Sequence, residues 1–519
     1  MKSRQVSMKS GLTRRTVIQA MGIGAGMILG NELLFAKEKA PQTSSPRGGI
    51  LRAAFPGSSN NSLNVLQSTN STINNVRARL LWDPLAEIDD EKISWRLMTS
   101  AESNKDSTLW TIKLRQGVTF SNGKKLTAKD VLYSLHSYTT QPGSQNGWLK
   151  PLDISSSHIE DDYTISLQLR RPVGTFDWLL AQAMFIFPEG TTDFDNAPGS
   201  GAYTLSSFNQ DKSVLIAQHN YWDDSAGPYL DEIHLYSVED STARLNGLKA
   251  GQFDYSGGLT LLTAKTEKNN PLIKIWQSDH SQMSSLAFSM NLSKPPFNNP
   301  YVVDALKYGI DREAMVRSVT LGMGETANDS LGAGQAWFNS TLPTRQYDPE
   351  HSKALLKKSG LTSVTAMIRT TDYQYGTLES AILLLKQAKN AGFNLTLNRL
   401  PAADYYSDFT ALLNTPLQTN SYHSMPLPVS LPFYYGKDAP WSFTGPAPQE
   451  LTKLVNAMQR SKEEDLREKT AELQNWLWLY GGDAIFARIP SVAGSSPRVE
   501  NVKAAGFFDS PLLRDAWLA

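Results

Sequence analysis

Apolar and polar positions alternate in short runs through the first part of the chain and recur at helical spacing through the second. Residues 50–55, Ile-Leu-Arg-Ala-Ala-Phe, are a short strand-like run after Gly48-Gly49. In residues 109–114, Trp110, Ile112 and Leu114 fall on one side and Thr111 and Lys113 on the other, the period of a half-buried strand. Residues 163–169 repeat that alternation. Between them, Asn122-Gly123 marks a tight turn. Thr127 then opens a helix in which Asp130 stands where it exchanges bonds with the cap and favours the positive helix start. Residues 188–200 form a glycine- and proline-marked connection.

Further on, Val302, Val303, Leu306, Ile310, Met315 and Val316 keep a helical period over residues 299–319, which predicts two helices. A short helix over 352–358 is stopped by Gly360, and a long one over 378–391 by Gly392, with a strand at 393–400. Residues 450–480 read as helical and amphipathic, with Glu463, Glu464 and Asp465 against Arg467 and Lys469 on the wet face. Strands and helices mixed without strict alternation indicate an α/β chain of more than one lobe.

A length of 519 residues is too great for one core and suggests about three domains. Lysine plus arginine balances aspartate plus glutamate at 50 each, so no overall field favours nucleic acid or an anionic membrane. The chain has no cysteine, which excludes disulfides, thiolate metal sites and a cysteine nucleophile. Its seven histidines are scattered without metal-site spacing, so no metal held directly by the protein and no cofactor is expected, while a metal carried by an organic chelator stays open as a ligand. Neither a nucleophile elbow nor a phosphate-cradling loop occurs. Carboxylates distant in sequence could still meet in a cleft, which keeps an exported hydrolase as the alternative to a binding protein.

Residues 1–36 read as an export signal: Thr13-Arg14-Arg15 precedes a glycine- and alanine-rich apolar run over 17–29. The paired arginines resemble a twin-arginine signal, with a basic general secretory signal as the alternative. Residues 37–46 follow as a polar linker. Beyond them no run reaches the roughly 18 apolar residues of a membrane span.

The segment Trp110-Thr-Ile-Lys-Leu-Arg115-Gln-Gly117-Val-Thr-Phe120-Ser-Asn-Gly123-Lys-Lys-Leu-Thr127-Ala128-Lys-Asp130-Val131 resembles the signature of the family 5 extracellular solute-binding proteins, the oligopeptide-, dipeptide- and nickel-binding type. Gly48-Gly49-Ile50-Leu51-Arg52, Leu80-Leu81-Trp82-Asp83-Pro84-Leu85 and Gly199-Ser-Gly201-Ala-Tyr203 are similar to further motifs of that family, in its order. So are Asn220-Tyr221-Trp222, Asn299-Pro300-Tyr301, Ile310-Asp311-Arg312-Glu313 and Tyr347-Asp348-Pro349-Glu350.

The resemblance implies a two-lobed periplasmic binding protein fold of the large kind, closing by a hinge around a central cleft. Lobe I would comprise 47–90, 200–285 and 490–519, with a subdomain at 91–199 inserted into it, and lobe II would comprise 286–489. Such a protein is expected to be a periplasmic monomer, without enzymatic activity, that captures a small peptide-like or polar, anionic solute and delivers it to an ABC permease in the inner membrane. A sensory receptor on the same fold remains a second alternative. Asp130, Asp311 and Arg312 are expected as caps and ion pairs.

Peptide binders of the family hold the ligand's α-ammonium group with an aspartate, and the corresponding region here, residues 419–428, contains no acidic residue. That departure puts ordinary peptide capture in doubt. Arg369 falls where dipeptide binders carry an arginine for a ligand carboxylate; paired on the surface with Asp372, it would be structural. Arg369, Asp372 and Tyr373 are therefore candidate ligand contacts, with Tyr422 and His423 in a proline-rich loop. His423 could equally be a solvated loop histidine. Trp441 could stack on a ligand or plug its loop into the lobe. Ser58 and Asn60, in the glycine-, serine- and asparagine-rich stretch 57–62, could meet a ligand or form a bare turn.

Overall fold

A computed structural model describes residues 47–57, 61–66, 71–89, 91–141, 144–182, 184–223, 227–371, 376–405, 408–502 and 510–519. The export signal, the linker and four candidate contacts (Ser58, Asn60, Asp372 and Tyr373) lie outside them.

The strand-like run Ile50–Phe55 becomes an inner strand of a seven-stranded sheet. It pairs in parallel with Glu232–Ser237, from Ile50 opposite Glu232 to Phe55 opposite Ser237. On its other side it pairs in parallel with Tyr255–Leu259. Leu51, Ala53, Ala54 and Phe55 are buried, while Arg52 is half-buried and pairs with Asp254 at 2.8 Å. The remaining strands of that sheet are Lys212–Ala217, Tyr203–Phe208, Lys274–Gln277 and Val492–Ser495. A second, six-stranded sheet runs in the order Glu325–Thr326, Asp483–Ile489, Ser284–Met290, Leu417–Tyr422, Val364–Thr370, Phe393–Arg399. The chain passes between the two sheets twice, at residues 278–283 and 490–491.

A four-stranded antiparallel sheet lies between Met98 and Leu169, and it includes the alternating strand Leu109–Leu114. There Trp110, Ile112 and Leu114 are buried as their period requires. The helix Ala128–Thr140 starts on the expected capping box, with the Thr127 amide donating to Asp130 Oδ2 at 2.9 Å. Asp130 is fully buried and also accepts from Lys124 Nζ (2.7 Å) and the Glu189 amide (2.9 Å), so it is a framework residue. Asp311 caps the helix Arg312–Val319, and Arg312 pairs with buried Asp329 at 2.5 Å. Gly199 and Gly201 are glycines because the chain passes against the end of helix Thr72–Leu81. A Cβ on Gly199 would lie 1.8 Å from the Leu81 carbonyl oxygen, and the Gly201 amide donates to that same oxygen.

Two expectations change. The stretch 450–480 is two helices, Gln449–Arg460 and Glu463–Tyr480. Lys462 is extended and Glu463 has a φ of +49°. Glu463, Glu464 and Asp465 form the acidic first turn of a new helix, where the dipole favours them. The proline-rich stretch after 422 is also only partly loop: Tyr422 ends a strand, and Leu427–Tyr435 is a helix with Pro428 in its first turn.

The C-terminal tail is held by buried charge. Arg514 reaches Glu87 at 3.2 Å, Arg79 reaches it at 3.1 Å, and Arg96 bridges Asp83 (3.5 Å) and Asp223 (2.7 Å). Tyr221 and Trp222 both donate to Asp83 at 2.7 Å. Burial pushes the Glu87 carboxyl up, but Arg514, Arg79 and Arg96 outweigh it and hold the group at about 2. Asp83, under the same burial, is raised.

Removing one partner from such a network strands the others. Arg514→Met should cost about 3 kcal/mol, read as a lower denaturant midpoint and earlier proteolysis of the tail. Glu87, depressed on folding, adds stability above its ordinary carboxylate pKa that disappears as pH falls toward about 2. Denaturation between about pH 4.5 and 2 should therefore be shallower in Glu87→Gln than in the parent.

Candidate functional site

Alternation along strands gives the six-stranded sheet two unlike faces. One presents Leu286, Phe288, Ile368 and Leu417 to the helices Pro300–Tyr308 and Thr377–Asn390 and is mainly apolar, its buried Thr370 and Thr419 hydroxyls bonded to each other at 2.8 Å. The other carries a polar row at matched register. Arg369 is opposite Gln418, Gln418 opposite Ser289, and Ser289 opposite Asp483. All four are buried. At about 4.8 Å per strand, the cation and the anion at its ends stand some 14 Å apart, too far to pair.

The Asp483 end is closed. Its carboxylate accepts from Ser289 Oγ (2.5 Å), the Tyr435 hydroxyl (2.7 Å) and the Tyr422 hydroxyl (2.9 Å). Burial raises the Asp483 pKa, and those three hydroxyls oppose it. Tyr422 is itself only 1% exposed, and burial followed by the Asp483 charge drives its phenol well above the usual range. Its hydroxyl is therefore committed to the carboxylate. Its ring belongs to an aromatic chain: Tyr434 at 4.6 Å, Phe443 at 6.2 Å, then Trp441 and Phe409. The chain takes in two candidate contacts, Tyr422 and Trp441, and the structure places both in packing. Trp441 plugs its loop against Phe409, edge to face at 4.8 Å.

The Arg369 end is open. The side chain is 7% exposed, its Nη2 donates to the Tyr405 carbonyl at 2.6 Å, and its guanidinium lies over the Tyr405 ring at 4.7 Å. Nη1 is buried with no hydrogen-bond partner, and no carboxylate pairs with the guanidinium among the described residues. Beside it, Gln418 donates from Nε2 to the Leu412 carbonyl (3.1 Å), while its Oε1 is buried without a partner. Tyr405 is fixed by its hydroxyl on the Thr419 carbonyl (2.7 Å), and burial pushes its phenol up to about 12. A buried cation without a counter-charge is costly. An anion offered to Nη1 would repay that cost.

His423 is exposed and stands beyond the end of its strand, five residues along from Gln418. The structure does not bring it to Arg369. It lines a separate small recess, with room for about one water, formed also by Ser281, Met283, Ser424, Ser430 and Arg488. Gln335 holds this rim: its Nε2 donates to the Met425 carbonyl (3.0 Å) and its Oε1 accepts the Leu427 amide (3.1 Å). Arg488 ties the rim to the first crossing, donating from Nη2 to the His280 carbonyl (3.0 Å) and to Glu325 (2.7 Å). Gln418, Tyr405, Gln335 and Arg488 were not singled out in the sequence. Arg488 alone had a signal, a charge directly after the apolar stretch 484–487 of the strand Asp483–Ile489.

Residues 92–435 match the model of the bacterial extracellular solute-binding proteins, family 5 Middle. The glutathione-binding protein GsiB of Escherichia coli (strain 536) is 25% identical over 327 residues, 61% of this chain and 63% of that protein; the counterpart from Salmonella typhimurium gives the same figures. The match thus spans less than two thirds of the curated relatives' length. Among solved structures, the periplasmic binding protein DppA of Helicobacter pylori, in complex with the peptide STSA, superposes with a TM-score of 0.76 at 20% identity, over 91% of this chain and 98% of the other. AgaA of A. tumefacien R10, in complex with agropinic acid, gives 0.76 at 18% over 91% and 99%. NikZ of Campylobacter jejuni, in complex with Ni(L-His), gives 0.76 at 15% over 90% and 99%. These likenesses establish the two-lobed fold.

If Arg369 is kept for a ligand, the ligand-free protein bears its cost. Arg369→Met should leave the melting temperature of the empty protein unchanged or raise it, by the equivalent of about 1 kcal/mol. A purely structural arginine would instead lower it.

Proposed function

Because the chain belongs to the bacterial extracellular solute-binding proteins of family 5, we propose that it is a non-catalytic periplasmic receptor that captures an anionic, carboxylate-bearing solute and hands it to an ABC permease. The observation that carries this reading is the buried Arg369, with Nη1 unpartnered and no carboxylate paired to it among the described residues. A guanidinium so placed binds a carboxylate through charge-assisted bonds in a site already stripped of water. The stretch 419–428 supplies no acidic partner for an α-ammonium group, so the ligand's recognition is centred on its negative end. Export by the segment 1–36 agrees with the extracellular station of the family. The hinge is the pair of crossings at 278–283 and 490–491, and closure around the ligand is the signal that the permease reads.

The ligands named with the relatives define the panel: glutathione, short peptides, agropinic acid and a nickel–histidine chelate. In a thermal-shift screen one carboxylate-bearing class should raise the melting temperature, since binding the native state alone stabilises it. Titration calorimetry of that ligand against Arg369→Ala should show a loss of about 2 kcal/mol, roughly thirtyfold. The ligand should be recovered chemically unchanged. Undiminished affinity in the variant would remove Arg369 from the site, and release of products would replace the receptor with a hydrolase.

A further inference from the structure

Apart from the two crossings, the six-stranded-sheet half of the chain meets the segment 91–182 directly, across a surface no part of the binding reading requires. The Gly174 amide donates to the Gln459 carbonyl at 2.7 Å. That carbonyl lies at the C-terminal end of helix Gln449–Arg460, where main-chain acceptors have no partner within the helix. Arg171 Nη1 donates to the Gln459 side chain at 2.8 Å, and Lys462 bonds Ser103 while lying over the Trp110 ring. The break between the two C-terminal helices thus falls where the strap 171–174 touches it. Two aromatic pairs flank the strap: Trp178 meets Trp337 edge-on at 5.0 Å, and Trp148 meets Phe433 at 5.5 Å.

Of the polar side chains on this surface, Gln459 is buried, Arg171 and Ser103 are half-buried and Lys462 is exposed; with the chain-end carbonyls they are groups that water can serve once parted. The approach is nonetheless close. A Cβ on Gly174 would lie 2.6 Å from the Ser461 carbonyl oxygen and 2.8 Å from that of Arg460. The Gly174 φ is outside the left-handed region, so its backbone accepts a larger side chain and only the opposing chain forbids one.

We propose that this surface is a latch: the strap 171–174 and its flanking aromatics grip Trp337 and residues 433–462 when the lobes close and part from them when the lobes open. Closure then has two holds, the hinge crossings at one side and the latch at the other. The ligand's stay is set by both.

The chain has no cysteine, so an engineered pair is unambiguous. A Cβ on Gly147 would stand 4.0 Å from Pro440 Cβ, within the span of a disulfide, about 3.5–4.5 Å. In the full chain carrying Gly147→Cys and Pro440→Cys, with no ligand added, oxidation should form the bond in native buffer. Small-angle scattering should then show the oxidised protein more compact than the reduced one, a difference on the order of 1 Å in a radius of about 23 Å, reversed by reductant. Gly174→Val should shift the radius the other way, because the valine is compatible with the open form only. Failure of the pair to cross-link in native buffer would overturn the contact. Identical radii for reduced, oxidised and parent proteins would overturn the latch in favour of a permanent interface. If Gly174→Val does not fold, the cysteine pair decides alone. No ligand enters the test, so its outcome is independent of what the receptor binds.

Discussion

A guanidinium sealed from water, with no carboxylate paired to it among the described residues, is the constraint around which the six-stranded sheet is arranged. Arg369 projects from the polar face of a sheet whose other face is a mainly apolar core. The nearest anion along its register row, Asp483, is three strands away and already satisfied by Ser289, Tyr422 and Tyr435. The fold could have neutralised the arginine with one nearby carboxylate. Instead it supports the charge with the Tyr405 ring and carbonyl and leaves one nitrogen unused. Support of that kind orients a cation without cancelling it, as an anion-binding group requires.

How much of this was legible in the sequence depends on the range of the interaction. Local signals carried through. The alternation of Trp110, Ile112 and Leu114 gave a strand, and Thr127 with Asp130 gave a capping box. Gly199 and Gly201 proved to be points where backbone meets backbone. The helix break at Ser461 and Lys462 was missed although a local signal existed, since Glu463, Glu464 and Asp465 mark a helix start as well as a wet face. Tyr422 was misplaced for another reason. Proline suggested loop, but Pro428 occupies a helix's first turn, where its missing amide costs nothing. That Tyr422 serves Asp483, and that Gln418 stands beside Arg369, are facts of register between strands distant in sequence. No window of residues contains them.

The segment 419–428, which carries no acidic residue, is nonetheless firmly held. Gln335 clamps that rim from both sides, donating to the Met425 carbonyl and accepting the Leu427 amide. Two main-chain bonds of this kind fix a loop independently of the side chains it displays. His423 and Ser424 therefore occupy a held rim, whose displayed side chains can change without refolding the loop.

Held geometry with altered charge also decides how affinity is built. In a site with both a cation and an anion, a zwitterionic ligand replaces two solvated groups and must satisfy both. With Arg369 unpaired among the described residues, desolvation of the cation has already been met by the folded protein before any ligand arrives. Bringing a carboxylate to Nη1 then costs only the ligand's own dehydration. A ligand that also presents an ammonium group finds no carboxylate in 419–428 to receive it and must leave that end in water or forfeit its hydration. If Arg369 receives the ligand as proposed, selectivity for net negative solutes over zwitterions follows from that asymmetry.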